Sequence, residues 1–351
     1  MKKQNEFYKN TASPEQVPPE QVPPEQVPPK KKEQNQMTTF FTTSVEHLKE
    51  YIHGTHGSYK MRRFNDGELF LKLETDVRNQ PVTVITATNA PAKHMLELFF
   101  LLDALQQQTT KIHVILTYFG YERQDHPKPN VARAAEVICN FLKQFTIEKI
   151  TIVHPHSKKL HSYLNFSGFV PYELYKAVVK EQKIDMILSP DRGAIDACRH
   201  LADETDCAMD FIEKERCGFD KIKLSSQALP EQALPEQPLP EQATPEQALP
   251  EQAKPRIDLE VKNKRILIFD DIISTGSTLI QAAQLMNERG AQEIFALATH
   301  GFISNLTLQK ITESPINHLW VSNTLPVHIS ANNLSVINIA PAITTLIVNS
   351  T

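Results

Sequence analysis

Residues 265–279 read Arg-Ile-Leu-Ile-Phe-Asp-Asp-Ile-Ile-Ser-Thr-Gly-Ser-Thr-Leu. Four apolar residues, 266–269, lead into Asp270 and Asp271, and then past Ile272 and Ile273 into Ser274-Thr275-Gly276-Ser277-Thr278. An apolar strand ending in two carboxylates delivers acceptors to a sheet edge, where they suit the vicinal hydroxyls of a ribose. Gly276 lets the backbone curl, so that loop N–H groups and the N-terminus of a following helix converge on a dianionic phosphate. Thr275, Ser277 and Thr278 add hydroxyl donors. An acidic strand end before an ordinary capped helix would use similar residues, since Ser and Thr are good caps. The order of strand, acid pair, Thr-Gly-Ser-Thr and helix points beyond that, to a loop for a ribose 5-phosphate group.

Such a loop needs a sheet to carry it. From about Met37 to Thr351 the chain alternates short β-branched runs with helical patterns. Residues 82–87, 112–118 and 149–153 read as strands of a first half. Residues 186–188, 208–212, 266–269, 294–298 and 319–322 read as strands of a second. Helical patterns fill 93–105, 131–145, 194–204 and 279–289; the first places Met95, Phe99 and Leu102 on one face. Strands that are apolar throughout, separated by helices, indicate parallel sheets covered on both faces. The fold class is therefore α/β, with two tandem, mostly parallel sheets flanked by helices. Ligands in such sheets bind at the carboxyl ends of strands, and residues 270–278 lie at one.

One pentapeptide recurs in two places, as Pro-Glu-Gln-Val-Pro units in 14–29 and Ala-Leu-Pro-Glu-Gln units in 227–252. Of the 24 prolines, 14 fall in 14–29 or 230–255. Proline at that density removes backbone donors and breaks helices, and the few Leu and Val cannot offset the entropy of ordering. The expected organisation is a disordered tail (1–36), an N-terminal domain (37–168) and a C-terminal domain (169–351) interrupted by a disordered insertion (227–254).

The chain of 351 residues suffices for two domains. No apolar run approaches the ~18–20 residues of a membrane span, and the Lys/Gln-rich start lacks a signal peptide's apolar core. Four cysteines (Cys139, Cys198, Cys207, Cys217) show no CxxC pairing, which disfavours zinc or a disulfide scaffold. A net charge of −4 gives no electrostatic case for nucleic acid or an anionic membrane. A cytoplasmic protein without membrane or nucleic-acid partners is expected.

The 265–279 segment resembles the signature of the type I phosphoribosyltransferase fold. Other segments resemble one branch of it, the ribose-phosphate diphosphokinase (phosphoribosyl diphosphate synthetase) family, over nearly all of 38–345 except the second repeat. Arg63-Phe64-Asn65-Asp66-Gly67-Glu68 is similar to that family's Arg-Phe-x-Asp-Gly-Glu, which contacts the ATP base from a neighbouring subunit. A Phe64 ring with acceptors from Asp66 and Glu68 around Gly67 suits a stacked adenine, although Asp-Gly alone is an ordinary turn. Tyr118-Phe119-Gly120-Tyr121-Glu122-Arg123-Gln124-Asp125 is similar to Tyr-Phe-Gly-Tyr-x-Arg-Gln-Asp. That likeness makes Arg123 and Gln124 ATP-binding, and the planar fork of Arg123 suits phosphates.

His156 stands where the family has a histidine beside Mg-ATP, implying ATP and metal contacts. The family usually places Asp two residues earlier, where this chain has His154, and neutral imidazole is a poorer magnesium ligand than carboxylate. Ser189-Pro190-Asp191-Arg192-Gly193 is similar to Pro-Asp-x-Gly, which makes Asp191 a magnesium or phosphate-side ligand; an N-cap aspartate would look the same. In Glu213-Lys214-Glu215-Arg216, the family's Lys-x-Arg implies that Lys214 and Arg216 are the catalytic cations, where composition alone gives a solvated charge run.

The resemblance implies transfer of the β,γ-diphosphoryl group of ATP to the anomeric hydroxyl of ribose 5-phosphate, with Mg²⁺ and cations stabilising the transferring group. Asp270, Asp271, Ser274, Thr275, Gly276, Ser277 and Thr278 would hold ribose 5-phosphate. Dimer-based homo-oligomers, up to hexamers, are implied as well. The stretch after Asp125 is shorter than usual for the family, which bears on its phosphate/ADP regulatory site, and Ser274 replaces an acidic residue. The 227–253 tract falls between 221–224 and 256–261, stretches that alternate as a hairpin would, and an insertion at such a tip costs little. Two alternatives stay open: a non-catalytic or inactivated homologue, and a base phosphoribosyltransferase, which shares the 270–278 loop but needs neither 64–68 nor 118–125.

Overall fold

The computed structural model describes residues 37–125, 129–212 and 260–349. The expected tail and repeat insertion, residues 126–128, and both Lys214 and Arg216 lie outside the described residues. All of the described residues belong to one compact unit.

The first half contains β1 (Thr38–Phe41), β2 (Thr55–His56), β3 (Tyr59–Arg63), β4 (Leu69–Leu73), β5 (Val82–Ala87), β6 (Ile112–Tyr118), β7 (Lys149–Val153) and β8 (Ser167–Phe169). Six of these form a sheet in the order β2-β1-β5-β6-β7-β8, all parallel, while β3 and β4 pair as an antiparallel hairpin. Every residue of β5 and β6 is buried, as strands covered on both faces must be. Helix α1 (Lys93–Gln106) lays Leu98, Leu101, Leu102 and Leu105 on one face of the sheet, at the three- and four-residue spacing of an amphipathic helix. Helix α2 (Ala134–Leu142) joins it there; it is shorter than the 131–145 pattern because Arg133 already has non-helical backbone angles.

The second half holds α3 (Tyr172–Glu181), β9 (Met186–Ser189), α4 (Ile195–Asp203), β10 (Ala208–Phe211), β11 (Arg265–Ile273), α5 (Ser277–Glu288), β12 (Glu293–Gly301), α6 (Asn305–Thr312), β13 (His318–Ser322), β14 (Leu334–Ile337) and α7 (Ala340–Val348). Its sheet runs β10-β9-β11-β12-β13-β14, again all parallel. Helices α3 and α4 cover one face through Tyr175, Val178, Cys198 and Leu201; α5 covers the other through Leu279, Ala282, Ala283 and Met286. Strand β11 extends four residues beyond the 266–269 run, because β12 continues beside it and pairs Asp270 with Ala298 and Ile272 with His300. The acid pair thus lies within the end of the strand rather than past it.

The halves interlock. Leu325, Ile339, and Ala340 and Ile343 of α7 share a core with Phe41, Ile85, Ile115, Tyr118 and Val153, so the C-terminal helix closes the second face of the first sheet. A polar seam runs beside this core. Thr117 Oγ1 donates to the Thr324 carbonyl (2.8 Å), His300 Nδ1 bonds Thr324 Oγ1 (2.9 Å) and Nε2 bonds the His154 carbonyl (3.2 Å). His154 Nδ1 bonds Thr299 Oγ1 at 2.5 Å, and Tyr175 donates to the same hydroxyl. Burial holds the His154 and His300 pKa values down to about 4, as expected for neutral imidazoles inside a satisfied network. The carboxyl ends of the two sheets therefore meet.

Candidate active site

The 270–278 loop is built on the centre of a sheet. Gly276 has φ +75°, a left-handed conformation strained for any other residue; a Cβ there would meet only Ile280 and Ile311 at 3.6 Å, so the backbone rather than space calls for glycine. It leads straight into the 12-residue α5, whose first N–H groups have no intrahelical acceptor. The Thr275 and Ser277 hydroxyls lie 2.9 Å apart, and both residues are exposed. From behind, Thr307 of α6 donates to the Ser274 carbonyl (2.9 Å) and the Phe302 N–H donates to the Ile273 carbonyl (2.8 Å). Two loop carbonyls are thus tied down from behind, and exposed hydroxyls lie beside the free N–H groups of a helix N-terminus, an arrangement suited to an anion.

The two acids differ. Asp270 is buried and accepts the Asp271 N–H at 3.0 Å; burial, with Asp271 and Asp191 as neighbouring charges, pushes its carboxyl well above the ordinary range. Burial would raise Asp271 too, but a hydrogen bond from His156 and the adjacent imidazoles hold it below that range. Asp191, after β9, accepts the Gly193 N–H on Oδ1 (2.8 Å), two residues on; α4 begins at Ile195 with Ala194 as its cap, so Asp191 is not an N-cap.

On the other side, residues 119–125 turn off β6. The Gly120 N–H donates to Thr88 Oγ1 (2.7 Å), and a Cβ at Gly120 would lie 2.0 Å from the Thr88 carbonyl oxygen, so only glycine fits. Arg123 and Gln124 are exposed, while Glu122 turns inward. Its Oε2 accepts the His156 N–H at 2.7 Å, its Oε1 has no partner among the described residues, and burial raises its pKa to about 8. His156 Nδ1 lies 2.5 Å from Asp271 Oδ2, across the junction between the sheets; that hydrogen bond, against an opposing effect of burial, raises the His156 pKa to about 9. Lys158 also pairs with Asp196 across the junction, an exposed contact of small energetic weight.

The structure thus brings His156, Asp270, Asp271 and Asp191 together and presents Arg123 and residues 274–278 nearby. It does not bring the hairpin tip to them. Residues 64–68 turn between β3 and β4, closed by Phe64 N–H to the Glu68 carbonyl (2.8 Å), with Gly67 at φ +95°. Arg62 stacks on Phe64 and Phe70, and no described hydrogen bond, ion pair or ring contact joins this tip to the junction. Lys214 and Arg216 lie outside the described residues; β10 carries the described chain as far as Ile212. Two residues had no role in the sequence reading. Glu122 fills the open position of its motif, between Tyr121 and Arg123, and nothing local distinguishes it from an exposed carboxylate. Phe302 is exposed and edge-on to Tyr118 at 5.1 Å, and nothing in its surroundings in the sequence marks it.

Comparisons with known proteins fall on both halves. Residues 41–145 match the model of the N-terminal domain of ribose phosphate pyrophosphokinase, and residues 186–350 match the phosphoribosyl synthetase-associated domain. A ribose-phosphate pyrophosphokinase of Helicobacter hepaticus is 27% identical over 289 residues, covering 80% of this chain and 84% of that protein. One from Burkholderia pseudomallei is 29% identical over 288 residues, covering 80% of each. The crystal structure of phosphoribosylpyrophosphate synthetase from Mycobacterium smegmatis superposes with a TM-score of 0.72 at 24% identity, covering 89% of this chain and 97% of that one. That last likeness is one of fold.

Proposed function

The chain belongs to the ribose-phosphate pyrophosphokinase family, and from that premise we propose how its residues move the β,γ-diphosphoryl group of ATP to the anomeric hydroxyl of ribose 5-phosphate, releasing AMP. The observation that carries the proposal is the meeting of the two sheet ends, where His156 of the first half lies 2.5 Å from Asp271 of the second. A sugar phosphate seated on the second sheet therefore faces a nucleotide held by the first.

In this reading Ser274, Thr275, Gly276, Ser277 and Thr278 hold the 5-phosphate, and Asp270 and Asp271 accept from the ribose hydroxyls. Arg123, Gln124 and His156 hold the ATP phosphates, and Phe64, Asp66, Gly67 and Glu68 receive the base of an ATP bound to another copy in a dimer-based assembly. The reacting groups are polyanions, so the work is positioning and charge stabilisation, with Lys214 and Arg216 closing over the diphosphoryl group.

The residues suit magnesium. Asp191 stands close enough to Asp270 to raise its pKa, a surplus of carboxylate charge that a hard cation would relieve. Asp191 would hold it, joined by the Nε2 of His156 once that nitrogen has given up its proton, and Mg²⁺ would neutralise charge on the transferring group.

The test is purified protein with ATP, Mg²⁺ and ribose 5-phosphate, assayed for AMP. AMP formation that depends on the sugar phosphate is expected. No turnover with nucleotide binding retained would favour an inactivated homologue, and consumption of phosphoribosyl diphosphate with a free base would favour a base phosphoribosyltransferase.

A further inference from the structure

The two sugar-side acids are held differently. Asp270 is buried and accepts the Asp271 N–H, whereas the Asp271 carboxylate, besides its neighbour Asp270, is gripped by an imidazole from 115 residues away, His156. The His156 backbone is fixed independently. Its N–H donates to the buried Glu122, and the preceding turn is pinned where the His154 N–H donates to the Phe169 carbonyl (2.7 Å) and its ring reaches Thr299. A ring so placed, with Nδ1 against a carboxylate, keeps a proton on Nδ1 and turns Nε2, the nitrogen freer to give its proton up, away from Asp271, since the bond made by one imidazole nitrogen sets the state of the other. The pair sits at the lip of the junction, with the His156 side chain 38% exposed and Asp271 14%.

We propose that His156 is shared between the two halves: its Nδ1 locks the Asp271 carboxylate as a positioning contact for the sugar, while its Nε2 serves the nucleotide side, so that occupancy of the two substrate seats is coupled through this one ring. The proposal rests on reading 270–278 as the ribose 5-phosphate seat. A loose Asp271 must lose side-chain freedom when a sugar hydroxyl binds; one already held by His156 does not. A nucleotide that orders the His156 ring therefore orders the sugar seat, and by linkage the sugar orders the nucleotide seat by the same factor.

Asparagine places its amide nitrogen near the position of Nδ1, and glutamine places it near Nε2, so the two substitutions separate the two nitrogens. With ribose 5-phosphate as titrant in calorimetry on the full chain, His156→Asn should keep the dissociation constant within about 3-fold of wild type, while His156→Gln should weaken it by about 10-fold, within the range of site-to-site couplings. A non-hydrolysable ATP analogue with Mg²⁺ should tighten ribose 5-phosphate binding to wild type by about 5-fold or more, and this gain should vanish in His156→Gln. Thermal melts check that the variants fold. A measurement on wild type alone guards against their failure: in the imidazole ¹⁵N spectrum, His156 Nδ1 should be protonated, whatever the state of Nε2, and the ring resonances should shift on addition of ribose 5-phosphate. Equal sugar affinity in wild type and His156→Gln, equal weakening by both substitutions, or His156 resonances indifferent to the sugar would each overturn the sharing. Wild type that binds no ribose 5-phosphate, even with the analogue, would overturn the reading of 270–278 itself.

Discussion

The loop 270–278 grows from β11, a strand paired with β9 on one side and β12 on the other, and is braced behind by Thr307 and Phe302. Residues 64–68 instead cap a two-stranded hairpin, and Phe64 at its tip is exposed. An anion seat can be finished within one sheet, because backbone N–H groups and short hydroxyl side chains suffice. A flat, apolar base needs covering on both faces, and an isolated tip covers neither. If these are the two substrate seats proposed above, one is prebuilt and the other needs a second surface, which is the physical content of the proposed sharing between copies.

The contrast can be broken most sharply at the cations outside both regions. Lys214→Ala should lower kcat by about 10³-fold while leaving ribose 5-phosphate affinity unchanged, as for other phosphoryl-transfer cations. A variant keeping a third of wild-type turnover would remove Lys214 from that role.

Acid should loosen the scaffold before it alters the seats. His113 in β6 and His300 in β12 are buried with pKa values lowered to about 4, by burial foremost. Their folded pKa lies below the unfolded value near 6.5, so the unfolded chain takes up protons first as pH falls. Stability is therefore full above about pH 6.5 and declines toward pH 4, by about 2 kcal/mol per histidine at pH 4.5. Urea midpoints should show the slope, and His113→Gln, whose amide still reaches Thr151, should remove one histidine's share. An unchanged slope would show that His113 is protonated in the folded state.

Two substitutions then separate the seats. Gly276→Val forces a left-handed β-branched residue, a strain of about 1–2 kcal/mol, and should weaken ribose 5-phosphate binding by about 10-fold with KM for ATP unchanged. Phe64→Ala should do the reverse, raising KM for ATP by about 5-fold through the lost aromatic contact. Equal effects of either substitution on both substrates would erase the distinction. Smallest of all, deletion of 227–253 should leave kcat within about 3-fold, since loop-closure entropy grows only logarithmically; a collapse to baseline would show that the tract is structural.

Strands β5, β6 and β7 were legible to the residue because each is dominated by β-branched and apolar residues, with His113 in β6 and Lys149 opening β7 as the exceptions. Elements whose burial depends on distant partners were not. The four residues of β1 are all buried, yet two are threonines; α6 is mostly polar; α7 is rich in Ile, Val and Thr and reads poorly as a helix until it docks on the first sheet. The strand-turn-helix of 265–279 was legible because its pattern is local to one strand, one turn and one helix. The extension of β11 through Asp270 was not, because it depends on β12 continuing beside it. The His156–Asp271 contact had no local signal, since no periodicity reports on residues 115 apart. His154 stood out in the sequence only as a departure from the family's usual Asp; it is buried, and the Thr299 hydroxyl satisfies its ring.

The most direct measurement is ³¹P NMR of the reaction with ATP, Mg²⁺ and ribose 5-phosphate. The expected result is AMP together with a sugar carrying both its 5-phosphate and a coupled diphosphate pair, formed in equal amounts. Release of ADP or orthophosphate instead, or ATP left intact while ribose 5-phosphate binds, would contradict diphosphoryl transfer between the two sheet ends.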